Sequence, residues 1–119
     1  MVWPADFFED SAGSVPVEDF LKALPIGHRA KAVAIVKLLE AQGPMLPFPY
    51  SSQVKGKLRE LRTQQGKDKL RILYFADSRR SFILLHAVRK KSDKLEVSDI
   101  RVAEERMEVH SRRLEGKPR

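Results

Sequence analysis

Basic side chains, with one histidine and one tyrosine among them, crowd the middle of this chain. They are Lys55, Lys57, Arg59, Arg62, Arg71, Tyr74, His86, Arg89, Lys90 and Lys91. Arginine binds phosphate oxygens bidentately, and lysine binds them as a point charge. Histidine is the natural acid or base near neutral pH. The combination is therefore typical of a site that binds or cleaves a polyanion.

RNA cleavage suits this set of residue types. The ribose 2′-hydroxyl is an internal nucleophile, so the reaction needs no metal; the protein has to deprotonate that hydroxyl, neutralise the developing phosphorane and protonate the leaving 5′-oxygen. We therefore expect neither a metal site nor a cofactor. The cluster alone is not specific, because many RNA-binding strands look alike. On strand context alone, His86 is more often a core histidine, and Tyr74 is as readily a core aromatic as a stacking group.

The excess positive charge of the chain lies in the same stretch. The chain has a net charge of +7, yet residues 1–50 carry four basic and six acidic side chains, and residues 93–119 carry seven of each. Residues 51–92 carry twelve basic and three acidic side chains, a net of +9, and so hold all of the excess. Positive charge concentrated in this way indicates that the partner is nucleic acid, an anionic membrane or an acidic protein. The alternative is a strand face that is exposed to water and binds no partner.

Several classes of site are excluded by what the sequence lacks. There are no cysteines, which excludes disulfides, thiolate metal sites and cysteine nucleophiles. No glycine-rich phosphate loop is present, and the three histidines lie far apart, which disfavours a zinc site. The N-terminus shows neither region of a signal peptide, and no apolar run, residues 82–85 included, is long enough to span a bilayer. We expect a cytoplasmic protein with no membrane partner.

Hydrophobic periodicity predicts two helices before the basic segment. The first follows Pro16 and ends before Pro25; the second begins near His28 and ends at Gly43-Pro44. Their apolar faces repeat at helical spacing over Val17, Phe20, Leu21, Leu24, Ala32, Ile35, Val36 and Leu39. Two helices joined by a tight turn form an αα-hairpin.

Three strand-like runs carry the basic residues. They cover residues 58–63, 70–76 and 81–88. Short links between them imply an antiparallel meander, and the nearly continuous apolar third run predicts a central strand covered on both faces. An edge strand is expected around Phe7 and Phe8, and a helix over residues 97–114. The expected fold is α+β: an N-terminal strand and an αα-hairpin packed on an antiparallel sheet of three or four strands, with a C-terminal helix, in one domain spanning residues 1–119.

Strand geometry groups some of the basic residues. Arg62 lies at the exit of one predicted strand and Arg71 at the entry of the next, so a hairpin brings them close. Side chains alternate faces along a strand, which places Arg71 and Tyr74 on opposite sides unless a bulge intervenes. We expect His86 and the basic residues that follow it to come near the same edge.

Short motifs follow one another along these strands in a recognisable order. They are Leu58-Arg-Glu-Leu-Arg62, Leu70-Arg-Ile-Leu-Tyr-Phe75, Ile83-Leu-Leu-His-Ala-Val-Arg-Lys-Lys91, and then Ile100 with Ala103 and Arg106. In this order and spacing they resemble the RelE/ParE toxin superfamily, most closely its HigB-like, phage-derived branch. The layout of that superfamily is a strand, two helices, a meander and a C-terminal helix, which agrees with the predicted elements.

The resemblance implies the toxin of a type II toxin–antitoxin pair. Such a toxin is a metal-independent endoribonuclease that cuts messenger RNA, often on the ribosome, and is silenced by an antitoxin with a helix-turn-helix domain. The phosphate-binding residues that it implies are Arg62, Arg71, Lys90 and Lys91. His86 would be the acid or base, and Tyr74 would stack on a base. Further RNA contacts are expected from Lys55, Lys57, Arg59 and Arg89.

Two other functions fit the same sequence. ParE-type inhibitors of DNA gyrase share the fold and act by binding a protein, although the basic residues after His86 argue mildly against this alternative. A module that binds RNA or DNA without cleaving it would use the same positive field, and its binding would weaken steeply with salt.

Overall fold

Five strands and three α-helices make up the computed structural model, which describes residues 3–116. In chain order they are β1 (Ala5–Phe7), α1 (Pro16–Ala23), α2 (Ile26–Gln42), a 3₁₀ turn (Gly43–Met45), β2 (Ser51–Lys55), β3 (Leu58–Gln65), β4 (Asp68–Ala76), β5 (Phe82–Lys90) and α3 (Val97–Glu115). The two ends of the predicted domain, residues 1–2 and 117–119, lie outside the described residues.

All five strands join one sheet in the order β1-β5-β4-β3-β2. β2 to β5 form an antiparallel meander, and β1 pairs with β5 in parallel. This confirms the predicted α+β fold, with its N-terminal strand, αα-hairpin and C-terminal helix. β2 is the strand that hydrophobic patterning did not reveal. Its sequence is largely polar, and it becomes a strand by pairing its backbone with β3.

Two glycines set the register of the meander. Gly56 and Gly66 each begin a two-residue turn between strands, with φ of 56° and 60°. A type II′ hairpin turn requires a positive φ at this position, which favours glycine, and its twist matches that of the flanking strands. The turn at Gly66 fixes a ladder in which Arg62 lies opposite Arg71.

The sheet is buried on both faces. On the α1/α2 face, the helical hairpin packs against Leu61, Leu70, Ile72, Tyr74, Phe82 and Leu84. On the α3 face, the C-terminal helix packs against Leu58, Leu73, Phe75, Ile83 and Leu85. β4 and β5 supply both clusters, so the prediction of a central strand covered on both faces is confirmed for β5. No helix within residues 3–116 combines the length and apolar character that crossing a membrane demands.

A bulge in β5 turns His86 toward α3. Leu73 pairs with His86 and Tyr74 pairs with Leu84, so Leu85 is the extra residue of β5. Leu85 and His86 consequently lie together on the α3 face. The carbonyl of Leu85 accepts a hydrogen bond of 2.8 Å from Nη1 of Arg106 in α3. Burial lowers the pKa of the Arg106 guanidinium.

We predict that Arg106→Met destabilises the fold by about 1–3 kcal/mol, because the buried Leu85 carbonyl loses its donor while the apolar stem is kept. Urea denaturation measures this change in the free energy of unfolding. Arg101→Met removes the same charge from an exposed position of the same helix, and its effect should stay within about 0.5 kcal/mol. Equal stability of the two variants would contradict the role given to Arg106.

Candidate functional site

Arg62 and Arg71 form a cross-strand pair at the centre of the candidate site. They are partners in the β3–β4 ladder. They point to the α3 face, because Leu70 and Ile72 on either side of Arg71 face the helical hairpin. The prediction that a hairpin brings the two arginines close is confirmed. Leu73, the next residue on this face of β4, packs in the cluster under α3, and the Arg62 side chain is 20% exposed.

Glu60 holds the two guanidinium groups together. Its Oε2 accepts a hydrogen bond of 3.4 Å from Arg62 Nη1, and its Oε1 lies 3.5 Å from Arg71 Nε. The carboxylate offsets part of the repulsion between two like charges placed directly opposite each other. Glu60 was not among the site residues predicted from the sequence. The signal was its spacing, since residues two apart on a strand share a face and Glu60 therefore lies beside Arg62.

Both arginines of the pair have a buried side-chain nitrogen that makes no hydrogen bond to the described part of the chain. The Arg71 side chain is only 4% exposed. Among the residues that the structure describes, Arg62 Nε, Arg71 Nε and Glu60 Oε1 have no hydrogen-bond partner. Burial, and then the charge of Arg62, lower the pKa of Arg71, so the surroundings disfavour its charged form. An anion bound at the guanidinium groups would relieve both costs.

Asp93, in the segment before α3, already supplies an anion to the site. Its Oδ1 accepts hydrogen bonds from Lys69 Nζ at 2.8 Å and from Arg71 Nη2 at 3.3 Å, while its side chain stays 67% exposed. The bond from Lys69 is the main cause that holds the pKa of Asp93 below its usual range. Two cations thus bind one carboxylate oxygen at the surface of the site.

A cleft of about 410 Å³ opens beside the arginine pair, and we call it the edge cleft. β2 pairs with β3 only as far as Leu61, so residues 62–65 of β3 have no β2 partner. The edge cleft lies between this strand edge, the side of α2 and the segment that precedes β2. Its polar lining consists of Lys31, Tyr50, Arg62, Thr63, Gln64 and Arg71.

His86 lies on the same face as the arginine pair and is held by α3. It pairs with Leu73, one step further along the face than Arg71. Its Nε2 lies 2.8 Å from Asp99 Oδ1, and its Nδ1 lies 3.4 Å from Arg106 Nη1. A guanidinium only donates, so Nδ1 is assigned as the acceptor and Nε2 as the donor to Asp99. Both ring nitrogens thus face α3, which orients the ring.

The basic residues that end β5 divide between the two faces. Lys90 lies on the α3 face. Arg89 and Lys91 bind the Asp68 carboxylate on the other side of the sheet, and His28 Nε2 lies 2.8 Å from the same carboxylate. Lys91 first, then His28 and Arg89, drive the pKa of Asp68 far below its usual range. Of the two predicted catalytic lysines, only Lys90 shares the face of the arginine pair.

Tyr74 and Arg59 lie opposite each other on the α1/α2 face, away from the arginine pair. Tyr74 is 2% exposed, and its hydroxyl lies 2.6 Å from Ser51 Oγ. The ring packs edge-on against Phe82 in the core. It therefore has no open face for the base that the sequence prediction placed on it, because the helical hairpin covers this side. Arg59 Nε donates to the same Ser51 oxygen at 3.1 Å.

Lys55 and Lys57 lie at the turn between β2 and β3. Lys55 forms an ion pair of 3.2 Å with Glu104 of α3. Lys57 borders a second cleft, which lies between the end of β4 and the last turns of α3. Arg62 is four residues further along β3 than its first residue, roughly 13 Å at the usual rise of a strand. The structure therefore does not bring these two lysines to the arginine pair.

We predict that Asp93→Asn strengthens binding of inorganic tripolyphosphate about threefold, because the carboxylate no longer competes for Lys69 and Arg71. Isothermal titration calorimetry measures the affinity. The low pKa of Asp93 keeps its carboxylate charged at pH 5, so the difference from wild type should persist there. Asp19→Asn makes the same change at an exposed position of α1 and should leave the affinity unchanged. If Asp93→Asn and Asp19→Asn bind tripolyphosphate with the same affinity, an anion site at Asp93 is contradicted.

The residues that build this site lie inside a segment that matches a known family. Residues 19–108 match the family model described as Phage derived protein Gp49-like (DUF891). No curated protein matches the chain. The matched segment runs from within α1 to within α3 and contains the arginine pair, Glu60, His86 and Asp93. Because the match covers far more than half of the chain, the chain belongs to the Gp49-like family of phage-derived proteins, a RelE/ParE-like toxin family of toxin–antitoxin systems.

Proposed function

We propose that this chain is the toxin of a type II toxin–antitoxin pair and acts as a metal-independent endoribonuclease of the HigB-like type. The observation that carries the proposal is the cross-strand pair of Arg62 and Arg71, which has unfilled hydrogen-bonding capacity beside an open cleft. Membership of a RelE/ParE-like toxin family supports it. The proposed substrate is messenger RNA, with the ribosome as the setting in which related toxins often cut it.

Arg62 and Arg71 are the proposed phosphate ligands. A phosphate that takes the place of the Asp93 carboxylate accepts hydrogen bonds from Arg71 and Lys69, and Arg62 approaches it from the neighbouring strand. The ribose 2′-oxygen then attacks phosphorus as the bond to the 5′-oxygen breaks, which leaves a 2′,3′-cyclic phosphate and a 5′-hydroxyl. The cations, with Lys90 on the same face, stabilise the charge that develops on the phosphorane.

Two groups beside the arginine pair are proposed to move the protons. The carboxylate of Glu60, which lies between the two arginines, accepts the proton of the 2′-hydroxyl. Protonated on both ring nitrogens, His86 gives its Nδ1 proton to the leaving 5′-oxygen, while its Nε2–H keeps the hydrogen bond to Asp99 that orients the ring. The contact of His86 Nδ1 with Arg106, at 3.4 Å, is longer than a good hydrogen bond, so it is the one that substrate displaces.

The family implies an antitoxin partner, and we propose that it is a helix-turn-helix protein. An antitoxin that covers the arginine pair has to meet the positive field of residues 51–92, so its docking segment is expected to be acidic. Lys55, Lys57, Arg59, Arg89 and Lys91, which lie away from the pair, attract RNA through this field rather than by contact at the scissile phosphate. The proposed setting is the cytoplasm, where messenger RNA is translated.

We predict that Arg62→Ala lowers the cleavage of messenger RNA at least about 100-fold, the usual cost of losing one donor to the transition state. Arg71→Lys keeps the charge but loses the bidentate geometry, and a similar defect is expected. Mapping of RNA ends after expression of the chain alone measures both. Arg112→Ala, an exposed position in the last turns of α3, is the control and should keep full activity.

Full cleavage by Arg62→Ala and Arg71→Lys would overturn the site assignment. Inhibition of DNA supercoiling by the purified protein without RNA cleavage would identify a ParE-type gyrase inhibitor instead. Binding of RNA that weakens with salt and yields no cleavage product would identify a non-catalytic binding module.

We predict that His86→Gln lowers the cleavage rate by about 10²–10⁴-fold and removes the loss of activity at high pH that a general acid produces. Glutamine can keep the hydrogen bond to Asp99, so the fold should persist, and circular dichroism checks this. The pH dependence of single-turnover cleavage is the deciding measurement. A slower enzyme with an unchanged pH profile would show that His86 only fastens α3 to the sheet.

A further inference from the structure

Two aromatic side chains stand exposed beside the arginine pair. Phe48 is 69% exposed and Tyr50 is 46% exposed, and both belong to the segment between the 3₁₀ turn and β2. Pro47 and Pro49 flank Phe48 and restrict the backbone that presents it. Burial of an aromatic ring contributes strongly to stability. Two exposed rings on a restricted segment are therefore candidates for contact with a ligand.

Both aromatic residues contact Arg62. The guanidinium carbon of Arg62 lies 5.3 Å from the centre of the Phe48 ring, within cation–π distance. Tyr50 lines the edge cleft, and its carbonyl accepts a hydrogen bond of 2.8 Å from the backbone N–H of Arg62. A phosphate bound by Arg62 therefore lies next to two accessible aromatic side chains.

The lining of the edge cleft favours a polyanion that also has flat apolar groups. Lys31, Arg62 and Arg71 line it, and among the residues that the structure describes no carboxylate does. Aromatic side chains set among cations are how proteins hold single-stranded nucleic acid, since each base offers a face for stacking. A double helix keeps its bases stacked inside, so an unpaired strand is the form that fits.

We propose that Phe48 and Tyr50 form a stacking platform that holds an unpaired base of single-stranded RNA while Arg62 holds the adjacent phosphate. This inference rests on the proposed RNA-directed function. It moves the stacking role from the buried Tyr74 to a segment outside the sheet. Because every base has a face that can stack, the platform contributes affinity and orientation without selecting a base sequence.

Equilibrium binding separates stacking from charge. The first probe is a single-stranded RNA oligomer with 2′-O-methyl groups throughout, which 2′-hydroxyl attack cannot cleave. The second is inorganic polyphosphate of equal charge, which has no bases. Phe48→Ala and Tyr50→Ala are each expected to weaken RNA binding about 5- to 100-fold, the usual loss for one base stack. Their affinities for polyphosphate should not change.

Three variants serve as controls. Phe48→Trp keeps an aromatic face, so it should retain RNA affinity, and its fluorescence should be quenched on binding. Met45→Ala removes a still more exposed apolar side chain from the preceding turn and should change neither affinity. Arg62→Ala should reduce the slope of log Kd against log salt by about 0.7, as for one phosphate contact on a single strand. Phe48→Ala should leave that slope unchanged.

An equal loss of RNA and polyphosphate affinity in Phe48→Ala would show that the ring only positions Arg62, and the platform would be overturned. Unchanged RNA affinity in both alanine variants would overturn it as well, even where the wild-type protein cleaves RNA. Loss of antitoxin binding with RNA binding intact would assign the segment to protein recognition instead. If the wild-type protein binds no RNA, the platform fails whether or not cleavage occurs on the ribosome; the proposed function fails only if cleavage is absent too.

Discussion

The pairing of Arg62 with Arg71 across β3 and β4 is the constraint around which the rest of the site is arranged. The turn at Gly66 fixes the ladder, and the ladder places two like charges opposite each other on a face largely removed from water. Such a pair costs free energy unless negative charge offsets it. Glu60 provides this charge from β3 and Asp93 provides it from the segment before α3, and donors on both arginines still remain unfilled within the described chain.

The two helical layers decide how much of this pair a ligand can reach. On the α3 face, the helix packs over Leu73 and Leu85, and the contacts of His86 and Leu85 with Asp99 and Arg106 anchor it there. On the other side, β2 stops pairing before the end of β3, so the strand edge opens into the edge cleft. A well-packed sheet therefore holds the two arginines rigidly beside an open strand edge, where Arg62 is partly exposed and Arg71 is nearly buried.

The basic residues of segment 51–92 fall into two groups, one on each face of the sheet, which a net charge cannot distinguish. Strand alternation sends Arg62, Arg71 and Lys90 to the α3 face. Arg89 and Lys91 share Asp68 with His28 and thereby join the end of β5 to the start of α2. The same stretch of chain therefore supplies the arginine pair on one face and a link between elements on the other.

Periodicity and turn residues by themselves determined the helices, the meander and the closeness of Arg62 to Arg71, because each depends on residues near one another in the chain. The order of the strand motifs carried the likeness to the RelE/ParE toxins. Only the tertiary structure decided the rest. β2 has no hydrophobic pattern and forms by pairing with its neighbour. Tyr74 is buried because the helical hairpin lies on its face of the sheet. Asp93 and Phe48 are distant from the arginine pair in sequence, so only folding brings Asp93 to Arg71 and Phe48 to Arg62.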